Sequence, residues 1–334
     1  MGTPLVDGFG RVHRDLRISI TDRCNFRCTY CMPAEGMDWL PRSELLTYEE
    51  IARLAGVFVT HFDFDGIRIT GGEPTVRAHL PVLLSKLSRL RTGAGRPVDL
   101  AMTTNGATLG LIAHDLVRAG LGRINVSCDS LRADRFEALT HRDGLAAVLD
   151  GIDAALEAGL APVKVNVVVM RGVNDDEVVD FATFGRERGV EVRFIEFMPL
   201  DAQGGWTRAQ VVDQAEIVSA IDRVHPLEPV ATRGSEPAER FRYLDGGGHV
   251  GVIASVTHAF CGTCDRVRLT AEGQLATCLF AVDEHDLRTP LRAGASDPEL
   301  AEIVRGALAT KWAGHAIDQV QFIRPRRSMS QIGG

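Results

Sequence analysis

The feature that most restricts the fold of this chain is an alternation of strand-like and helix-like segments over its first two-thirds. Short runs rich in β-branched residues recur at Leu16–Ile20, Gly66–Thr70, Val98–Thr103, Arg123–Cys128, Val163–Met170 and Glu191–Phe197. Several are apolar on both faces, which is typical of parallel strands covered by helices. The stretches between them carry apolar residues at three- and four-residue spacing. Six such units predict an α/β fold, either an open parallel sheet or a partial barrel.

Polar and glycine-rich motifs follow the strand-like runs at the points where each run ends. The motifs are Cys24–Cys31 after the first run, Gly71–Pro74 after the second, Thr103–Gly106 after the third and Ser127 in the fourth. Parallel sheets place their chemistry at the carboxyl ends of the strands. The sequence therefore predicts that these motifs share one site.

Composition and charge exclude several classes of protein. The 334 residues carry a net charge of −7, without the basic excess of a nucleic-acid binder. No apolar run approaches the roughly 20 residues that span a bilayer, and residues 1–14 lack the apolar core of a signal peptide. We therefore expect a cytoplasmic protein with neither nucleic acid nor membrane as a partner. Thiols stay reduced in that compartment, so the seven cysteines should not form disulfides.

The alternation stops after Pro199. Glycine-rich loops follow, and Val250–Val256 and Arg266–Thr270 have the pattern of strands. We therefore expect one unit over residues 1–200 and a C-terminal extension over residues 201–334.

Six of the seven cysteines form two groups of three. We call Cys24, Cys28 and Cys31 the first triad, and Cys261, Cys264 and Cys278 the second triad. Thiolates suit zinc or iron–sulfur clusters, and three of them fit a cubane that leaves one iron open. Structural zinc needs a fourth ligand, which a nearby His or Asp could supply to the first triad and His258 to the second. Cys128 stands alone and is expected to be a small core residue.

Two motifs together resemble the radical S-adenosylmethionine superfamily. In Cys24-Asn-Phe-Arg-Cys28-Thr-Tyr30-Cys31, an aromatic residue precedes the third cysteine, as in the superfamily signature. Gly71-Gly72-Glu73-Pro74 matches the other mark of that superfamily. This resemblance implies an incomplete parallel (βα)6 barrel with a C-terminal extension that carries a second cluster.

Further segments are similar to the molybdenum cofactor biosynthesis protein A family, the GTP 3′,8-cyclases. They are Leu16–Arg23, Arg68–Thr70, Thr103–Gly106, Arg193–Met198, Phe260–Thr270 with Cys278-Leu279, and Ser328–Gly334. The resemblance runs nearly from end to end and implies two 4Fe-4S clusters, S-adenosylmethionine and GTP. The first cluster would bind S-adenosylmethionine at its open iron, and the second, on the second triad, would bind the guanine edge of GTP.

The resemblance also assigns roles to single residues. It places cofactor contacts at Tyr30, Gly72, Ser127 and Met198, and substrate contacts at Arg17, Arg68, Thr103, Lys164, Arg266, Val267 and Arg268. At Gly72, a Cβ would keep the main chain away from the methionine end of the cofactor. The arginine fork suits phosphate and purine, and a mid-strand Lys164 would need an anion beside it. The ordinary alternative is a surface charge for each arginine and a solvated edge for Lys164.

The implied reaction is a lyase-type cyclisation at the start of molybdenum cofactor synthesis. A 5′-deoxyadenosyl radical would remove hydrogen from ribose C3′ of GTP, and C3′ would then join guanine C8 to give 3′,8-cyclo-7,8-dihydro-GTP. Arg17, Arg266 and Arg268 would stabilise the intermediate, and the Gly333-Gly334 tail would reach the site. The resemblance further implies a flavodoxin- or ferredoxin-type electron donor, transfer of product to cyclic pyranopterin monophosphate synthase, and a homodimer.

Two other functions remain consistent with part of the pattern. One is a radical S-adenosylmethionine enzyme with one auxiliary cluster that modifies a peptide or another cofactor precursor. Extensions of that kind usually carry more cysteines than the three found here. The other is a non-catalytic iron–sulfur or zinc protein, which has no need of a Gly-Gly-Glu-Pro loop.

Overall fold

A twelve-stranded sheet forms the framework of the computed structural model, which describes residues 2–200, 204–231, 233–315, 317 and 327–332. A small hairpin precedes it, made of β1 (Leu5–Val6) and β2 (Val12–His13). The six predicted strands then follow as β3 (Asp15–Ser19), β4 (Gly66–Thr70), β5 (Asp99–Thr104), β6 (Arg123–Ser127), β7 (Val163–Val169) and β8 (Glu191–Glu196). They lie side by side in chain order and pair in parallel. The predicted order of parallel units is confirmed.

Helices connect consecutive strands. They are α1 (Tyr48–Phe62), α2 (Leu80–Leu87), α3 (Leu109–Arg118), α4 (Ala133–Thr140), α5 (Leu145–Glu157) and α6 (Val178–Arg188). Thr47 and Glu50 form a capping box that starts α1, and left-handed Asp63 ends it. Helix α4 was not predicted, because only Phe136 and Leu139 mark its apolar face. None of the helices in the described parts of the chain is long and apolar enough to cross a membrane.

The C-terminal segment adds strands to both edges of the parallel array. Its elements are α7 (Gln214–Asp222), β9 (Leu227–Pro229), β10 (Glu239–Tyr243), β11 (His249–Ile253), β12 (Arg266–Leu269), β13 (Gln274–Ala276), β14 (His285–Asp286), α8 (Arg288–Arg292), α9 (Asp297–Ala309) and α10 (Met329–Ile332). β11 pairs in parallel with β8, and β12 pairs in parallel with β3. Antiparallel β10 and β9 extend one edge, and β13 and β14 extend the other. Within the described residues, these outer strands do not pair with each other, so the barrel is incomplete, as predicted.

This topology sends the two cysteine triads to opposite ends of the strands. The first triad follows the carboxyl end of β3. Cys261 and Cys264 instead precede β12, whose Arg266 lies level with Asp15, the first residue of β3. Antiparallel β13 returns the chain so that Cys278 reaches the same end. The five residues of β3 separate the two ends by about 16 Å, at 3.3 Å per residue.

The two faces of the parallel strands differ sharply in polarity. On β3, Leu16 and Ile18 are fully buried in the apolar core beneath the helices. The alternate residues Asp15 and Arg17 line a cavity on the other face. We call that face the inner face of the sheet. The alternation of side chains along each strand therefore places charged residues inside and apolar residues outside.

We predict that Phe58→Ala lowers the free energy of unfolding of the metal-free protein by about 3–5 kcal/mol, because it opens a cavity in the core. Phe58 is fully buried and makes edge contacts with Phe64. Chemical denaturation followed by circular dichroism measures the change. Leu111→Ala is the control, since Leu111 is 85% exposed. Equal losses in the two variants would contradict the assignment of this core.

Candidate active site

A cavity of about 320 Å³ lies on the inner face of the sheet, and we call it the central cavity. Seven arginines line it: Arg14, and six from five different strands, namely Arg17, Arg68, Arg123, Arg193, Arg266 and Arg268. A concentration of guanidinium groups in a protein of net charge −7 indicates a site for an anion.

Strand register brings three of these arginines to one level. Arg17 pairs with Arg68 on one side and with Arg268 on the other, and neighbouring strands are only about 4.8 Å apart. Burial, followed by repulsion from Arg17, lowers the pKa of Arg68 to about 9. The same two causes lower the pKa of Arg268 to about 9. Three buried like charges at one level destabilise each other unless an anion lies between them.

Arg68 also has unused hydrogen-bond donors. Its Nε and Nη1 atoms are buried and find no partner among the described residues, and the side chain is only 8% exposed. Arg17 Nε lies 3.7 Å from Asp15 Oδ2, too far for a hydrogen bond. Buried donors without partners are costly, so these atoms indicate contacts that a ligand completes.

A second group of charges is centred on Glu191. Its carboxylate lies 2.6 Å from Arg193 Nε, 3.3 Å from Arg240 Nη2 and 3.8 Å from Lys164 Nζ. Burial, followed by repulsion from Arg193, lowers the pKa of Lys164 to about 8. Lys164 is buried beside the central cavity, although it is not among the residues that line it. The solvated-edge alternative for Lys164 is therefore wrong, because β7 is an inner strand between β6 and β8.

Several polar residues of the inner face were not predicted from the sequence. Arg123, Asn125, Asn166 and Arg193 all line the central cavity. Arg123-Ile-Asn125-Val-Ser127 alternates polar and apolar residues, a pattern that assigns its polar members to one face. Arg193 stands in a similar alternation along β8. That signal was present in the sequence, but choosing which face is inside required the fold.

The thiols of the first triad lie together and are half-buried. Burial raises the pKa of Cys28, and the Cys31 thiol raises it further. Burial and Cys24 likewise raise the pKa of Cys31 to about 12. Arg27 donates a hydrogen bond to the Cys24 carbonyl oxygen, which holds the loop in shape. Clustered thiols that stay protonated in the absence of a metal are suited to a cationic metal centre, which stabilises their thiolate forms.

The Gly-Gly-Glu-Pro segment packs directly against the cysteine loop. Gly72 N donates to the Thr21 carbonyl oxygen over 2.7 Å, and Glu73 N donates to the Arg23 carbonyl oxygen over 2.8 Å. A Cβ at position 72 would lie 2.3 Å from the Arg23 carbonyl oxygen. Contact with the chain's own backbone therefore requires glycine at position 72 by itself, and the approach of Gly72 to the cofactor stays a prediction.

Glu73 joins two of the motifs. Its carboxylate accepts hydrogen bonds from Thr104 Oγ1 over 2.6 Å, Asn105 N over 2.6 Å and Thr75 N over 3.0 Å. Asn105 in turn donates to Cys24 Sγ over 3.7 Å. The loops after β3, β4 and β5 therefore form one connected structure, as their positions at the strand ends predicted.

The other predicted cofactor contacts lie at this end or along the cavity. Tyr30 donates a hydrogen bond from its hydroxyl to Asp129 Oδ2 over 2.7 Å. Ser127 ends β6, and Met198 lines the central cavity. Near the first triad, Ser330 of α10 hydrogen-bonds the Cys31 thiol, and Met329 lines the cavity. Gly333 and Gly334 lie outside the described residues.

The second triad surrounds a smaller cavity of about 80 Å³. Arg266, Arg268, Met198 and Phe260 line both cavities, so the smaller one adjoins the central cavity. Arg266 Nε donates to Cys264 Sγ over 3.3 Å. Burial raises the pKa of Cys264, but the positive charges of Arg266 and Lys311 outweigh it, and the net shift is downward.

Thr103 lines the central cavity, whereas the Val267 side chain packs into the apolar core and could meet a ligand only through its backbone.

The zinc alternatives gain no support from this arrangement. Across the described ranges, no three His, Cys, Asp or Glu side chains converge closely enough to hold a single metal ion. A cubane needs less convergence, because its three thiolates bind three different irons. His258, the proposed fourth zinc ligand, is not among the residues that line the smaller cavity, whereas His315 is. Cys128 is buried in the core, as predicted.

Two family models match the chain. The model of the radical S-adenosylmethionine superfamily matches residues 18–185. The model described as Molybdenum Cofactor Synthesis C matches residues 190–317. Between them they cover both triads and every arginine of the central cavity except Arg14 and Arg17, which precede the first match.

Curated relatives match over almost the whole chain. A GTP 3′,8-cyclase of Streptomyces coelicolor is 51% identical, over 99% of this chain and 96% of its own length. A GTP 3′,8-cyclase of Corynebacterium glutamicum is 47% identical, over 99% and 89%. A protein named GTP 3′,8-cyclase 2 of Mycobacterium tuberculosis is 48% identical, over 99% and 92%.

Solved structures share the fold at low sequence identity. Streptococcus suis SuiB bound to S-adenosylmethionine has a TM-score of 0.61 at 13% identity, over 95% of this chain and 77% of SuiB. SuiB bound to the precursor peptide SuiA has a TM-score of 0.58 at 14% identity, over 98% and 76%. These similarities extend through the C-terminal segment, and they concern the fold alone.

We predict that Gly72→Ala weakens the first triad. The added Cβ would force the backbone at residues 22 and 23 to move, at a cost of about 1–3 kcal/mol in the free energy of unfolding. After anaerobic iron–sulfide reconstitution, the variant should retain less iron per chain than the natural protein. Gly110→Ala is the matched control, because a Cβ there meets nothing within 4 Å. If both variants retained the natural amount of iron, the packing argument would fail.

Proposed function

This chain belongs to the GTP 3′,8-cyclases of the radical S-adenosylmethionine superfamily, and we propose that its central cavity binds GTP for that reaction. The reaction converts GTP to (8S)-3′,8-cyclo-7,8-dihydroguanosine 5′-triphosphate at the start of molybdenum cofactor synthesis. The observation that carries the proposal is a cavity lined by arginines that lies between two triads of cysteines. A cavity of about 320 Å³ falls in the usual size range of small-molecule sites.

The first triad is the site for the superfamily's 4Fe-4S cluster, with Cys24, Cys28 and Cys31 as ligands. Family membership implies both that cluster and S-adenosylmethionine. When bound, they supply the electron and the sulfonium bond whose cleavage starts the radical chemistry. The chain's part is to hold three thiols together and to brace their loop through Gly72 and Glu73. Tyr30, Gly72, Ser127 and Met198 are the proposed contacts of S-adenosylmethionine.

The triphosphate of GTP supplies the anion that the inner face lacks. Arg17 and Arg68 carry donors that have no partner among the described residues, and Lys164 lies on β7, three strands away from Arg68. A phosphate oxygen accepts strong, charge-assisted hydrogen bonds from such groups. Thr103 adds a hydroxyl on the cavity wall. The geometry adds Arg123 and Arg193 to the proposed substrate contacts.

The second triad is the proposed site of a second 4Fe-4S cluster that meets the guanine end of GTP. Its cavity adjoins the central one, so a ligand that extends from the phosphate-binding arginines can reach it. Three thiols leave one iron of a cubane without a protein ligand. Arg266 contacts both Cys264 and the central cavity, so it can orient the base there. Val267 would contribute through its backbone.

The proposed catalytic residues stabilise negative charge and close the site. Arg17, Arg266 and Arg268 hold fixed positive charge on the inner face, where it can stabilise negative charge that develops in the reaction. The Gly333-Gly334 tail is proposed to reach the site, because α10 just before it contacts both Cys31 and the cavity. Arg327 anchors that tail through ion pairs with Glu272 and Glu284.

The remaining assignments are proposals that follow from the chemistry. Reduction of the clusters needs a low-potential donor, and a flavodoxin or ferredoxin is the expected type. The product would pass to cyclic pyranopterin monophosphate synthase, and we propose a homodimer. A functional division near residue 200 would separate the first-cluster unit (1–200) from the second-cluster extension (201–334), although both supply strands to one sheet.

The first test is substrate dependence. Anaerobically reconstituted protein is incubated with dithionite, S-adenosylmethionine and either GTP or ATP, and products are identified by mass spectrometry. We expect 5′-deoxyadenosine together with a cyclised nucleotide in the GTP sample, and no cyclised product with ATP. Absence of any GTP-derived product from protein with full iron content would overturn the proposed function. A peptide substrate remains the alternative that such a result would favour.

The second test uses the pH dependence of GTP binding. Burial lowers the pKa of Lys164 to about 8 in the free protein, so this lysine loses its charge as pH rises through that value. A bound triphosphate favours the charged form. The KM for GTP should therefore be constant below about pH 8 and rise above it, by up to roughly tenfold per pH unit.

The matched variants are Lys164→Met and Lys86→Met. Lys164→Met should show a raised KM at pH 7 and no further rise between pH 7 and 8, below the range in which Arg68 and Arg268 lose charge. Lys86→Met, which removes a half-exposed lysine paired with Glu49, should keep the natural profile. A natural profile in Lys164→Met would mean that Lys164 does not contact the triphosphate.

A further inference from the structure

Two buried cations contact the backbone at and near the second triad. They are Arg11, from the hairpin that precedes the sheet, and Lys311, which follows α9. Arg11 is 8% exposed and Lys311 is 5% exposed. Neither lines the central cavity or the smaller one.

Lys311 hydrogen-bonds the backbone at the start of β12 and immediately after β13. Its ammonium donates to the carbonyl oxygen of Arg266 over 2.8 Å and to that of Thr277. Arg266 stands two residues after Cys264, and Thr277 immediately precedes Cys278. One lysine therefore fixes the backbone beside two of the three cysteines.

Arg11 fixes the third cysteine. Its Nη1 atom donates to the Cys261 carbonyl oxygen and to the Ala313 carbonyl oxygen, each over 2.7 Å. Its Nη2 atom donates to the Trp312 carbonyl oxygen over 2.6 Å. The chain at 312–314 consequently lies against Cys261, where a Cβ on Gly314 would be only 3.2 Å from the Cys261 Cβ.

The hairpin is built to orient Arg11. The fully buried Asp7 carboxylate accepts hydrogen bonds from Arg11 Nε over 2.6 Å and from Arg11 N over 3.0 Å. It also lies 3.0 Å from His13 Nε2. Asp7 thus neutralises Arg11 and sets its direction.

Lys311 has no such partner. Among the described residues, no carboxylate lies within ion-pair distance of its ammonium, and its hydrogen bonds go to neutral carbonyls. Burial lowers the pKa of Lys311, and the groups that most favour its charge are the sulfurs of Cys264 and Cys278. A buried, unpaired ammonium is expensive, so the anion that balances it is expected at the triad itself.

We propose that Lys311 and Arg11 are positioning residues of the second cluster: together they fix the backbone of all three cysteine segments, and the unpaired charge of Lys311 sets the cluster's reduction potential. This inference rests on the proposed second cluster. A 4Fe-4S cubane with three thiolates is anionic, and reduction makes it more so. A buried positive charge beside it therefore favours the reduced form and raises the potential.

The test measures the second cluster alone. In full-length protein with Cys24, Cys28 and Cys31 replaced by Ala, the second triad is the site of any remaining cluster. Its iron content and its reduction potential are measured by chemical analysis and by EPR-monitored redox titration. Lys311→Met removes the charge and both hydrogen bonds at similar volume, Lys311→Arg keeps charge and donors, and Lys86→Met is the control.

We expect a shift of the potential to more negative values in Lys311→Met, restoration towards the natural value in Lys311→Arg, and no change in Lys86→Met. The charge of Arg11 is already neutralised by Asp7, so Arg11→Met mainly removes the hydrogen bond to the Cys261 backbone. We therefore expect it to lower the iron content severalfold. Natural potential and natural iron content in both Lys311→Met and Arg11→Met would overturn the inference.

Two further results keep the outcome clear. If Lys311→Met gives no soluble protein, Lys311→Gln is used, and an unchanged potential in that uncharged variant would equally overturn the charge argument. If the background protein with its natural Lys311 and Arg11 binds no cluster, the proposed function fails at the second triad. That result differs from any variant-specific effect, because it appears before either cation is changed.

Discussion

The main constraint on this structure is the positive charge that the arginines concentrate on the inner face of the parallel sheet. Register places Arg17, Arg68 and Arg268 at one level of three neighbouring strands, where they line the central cavity. These like charges repel each other, and an anion in the cavity lowers that cost. The outer face of the same strands packs against helices and supplies the core that holds the arginines in place. In the proposed function, the arginines are therefore already in position before the triphosphate binds.

The route of the C-terminal segment explains how two cysteine triads reach opposite ends of the same strands. β11 and β12 lie on opposite edges of the parallel array, so the chain between them crosses from one edge to the other and carries Cys261 and Cys264. Because β12 runs parallel to β3, these cysteines arrive at the end of the strands opposite to the first triad. A substrate between the two ends can be held at its base and its phosphates while its sugar faces the first triad.

Two residues of the Gly-Gly-Glu-Pro motif have a structural role that the motif alone did not suggest. Gly72 is required by the carbonyl of Arg23, and the Glu73 carboxylate is fully used in joining three loops. Both act on the geometry of the first triad. At the second triad the comparable work falls to Arg11 and Lys311, which are distant in sequence from the cysteines and belong to no local motif. Distance in the chain hides such residues from any analysis of spacing.

The sequence alone determined the order of six parallel units, the two triads, and the position of the motifs at strand ends, because these follow from periodicity and local spacing. The family resemblance carried by Cys24–Cys31 and Gly71–Pro74 was also readable there. Only the tertiary structure decided which face of each strand is inside, and hence that Arg123 and Arg193 join the cavity. It alone placed Lys311 and Arg11 against the second triad. The Arg11 contact joins segments 250 residues apart and the Lys311 contacts join segments 45 and 34 residues apart, so no local pattern encodes them.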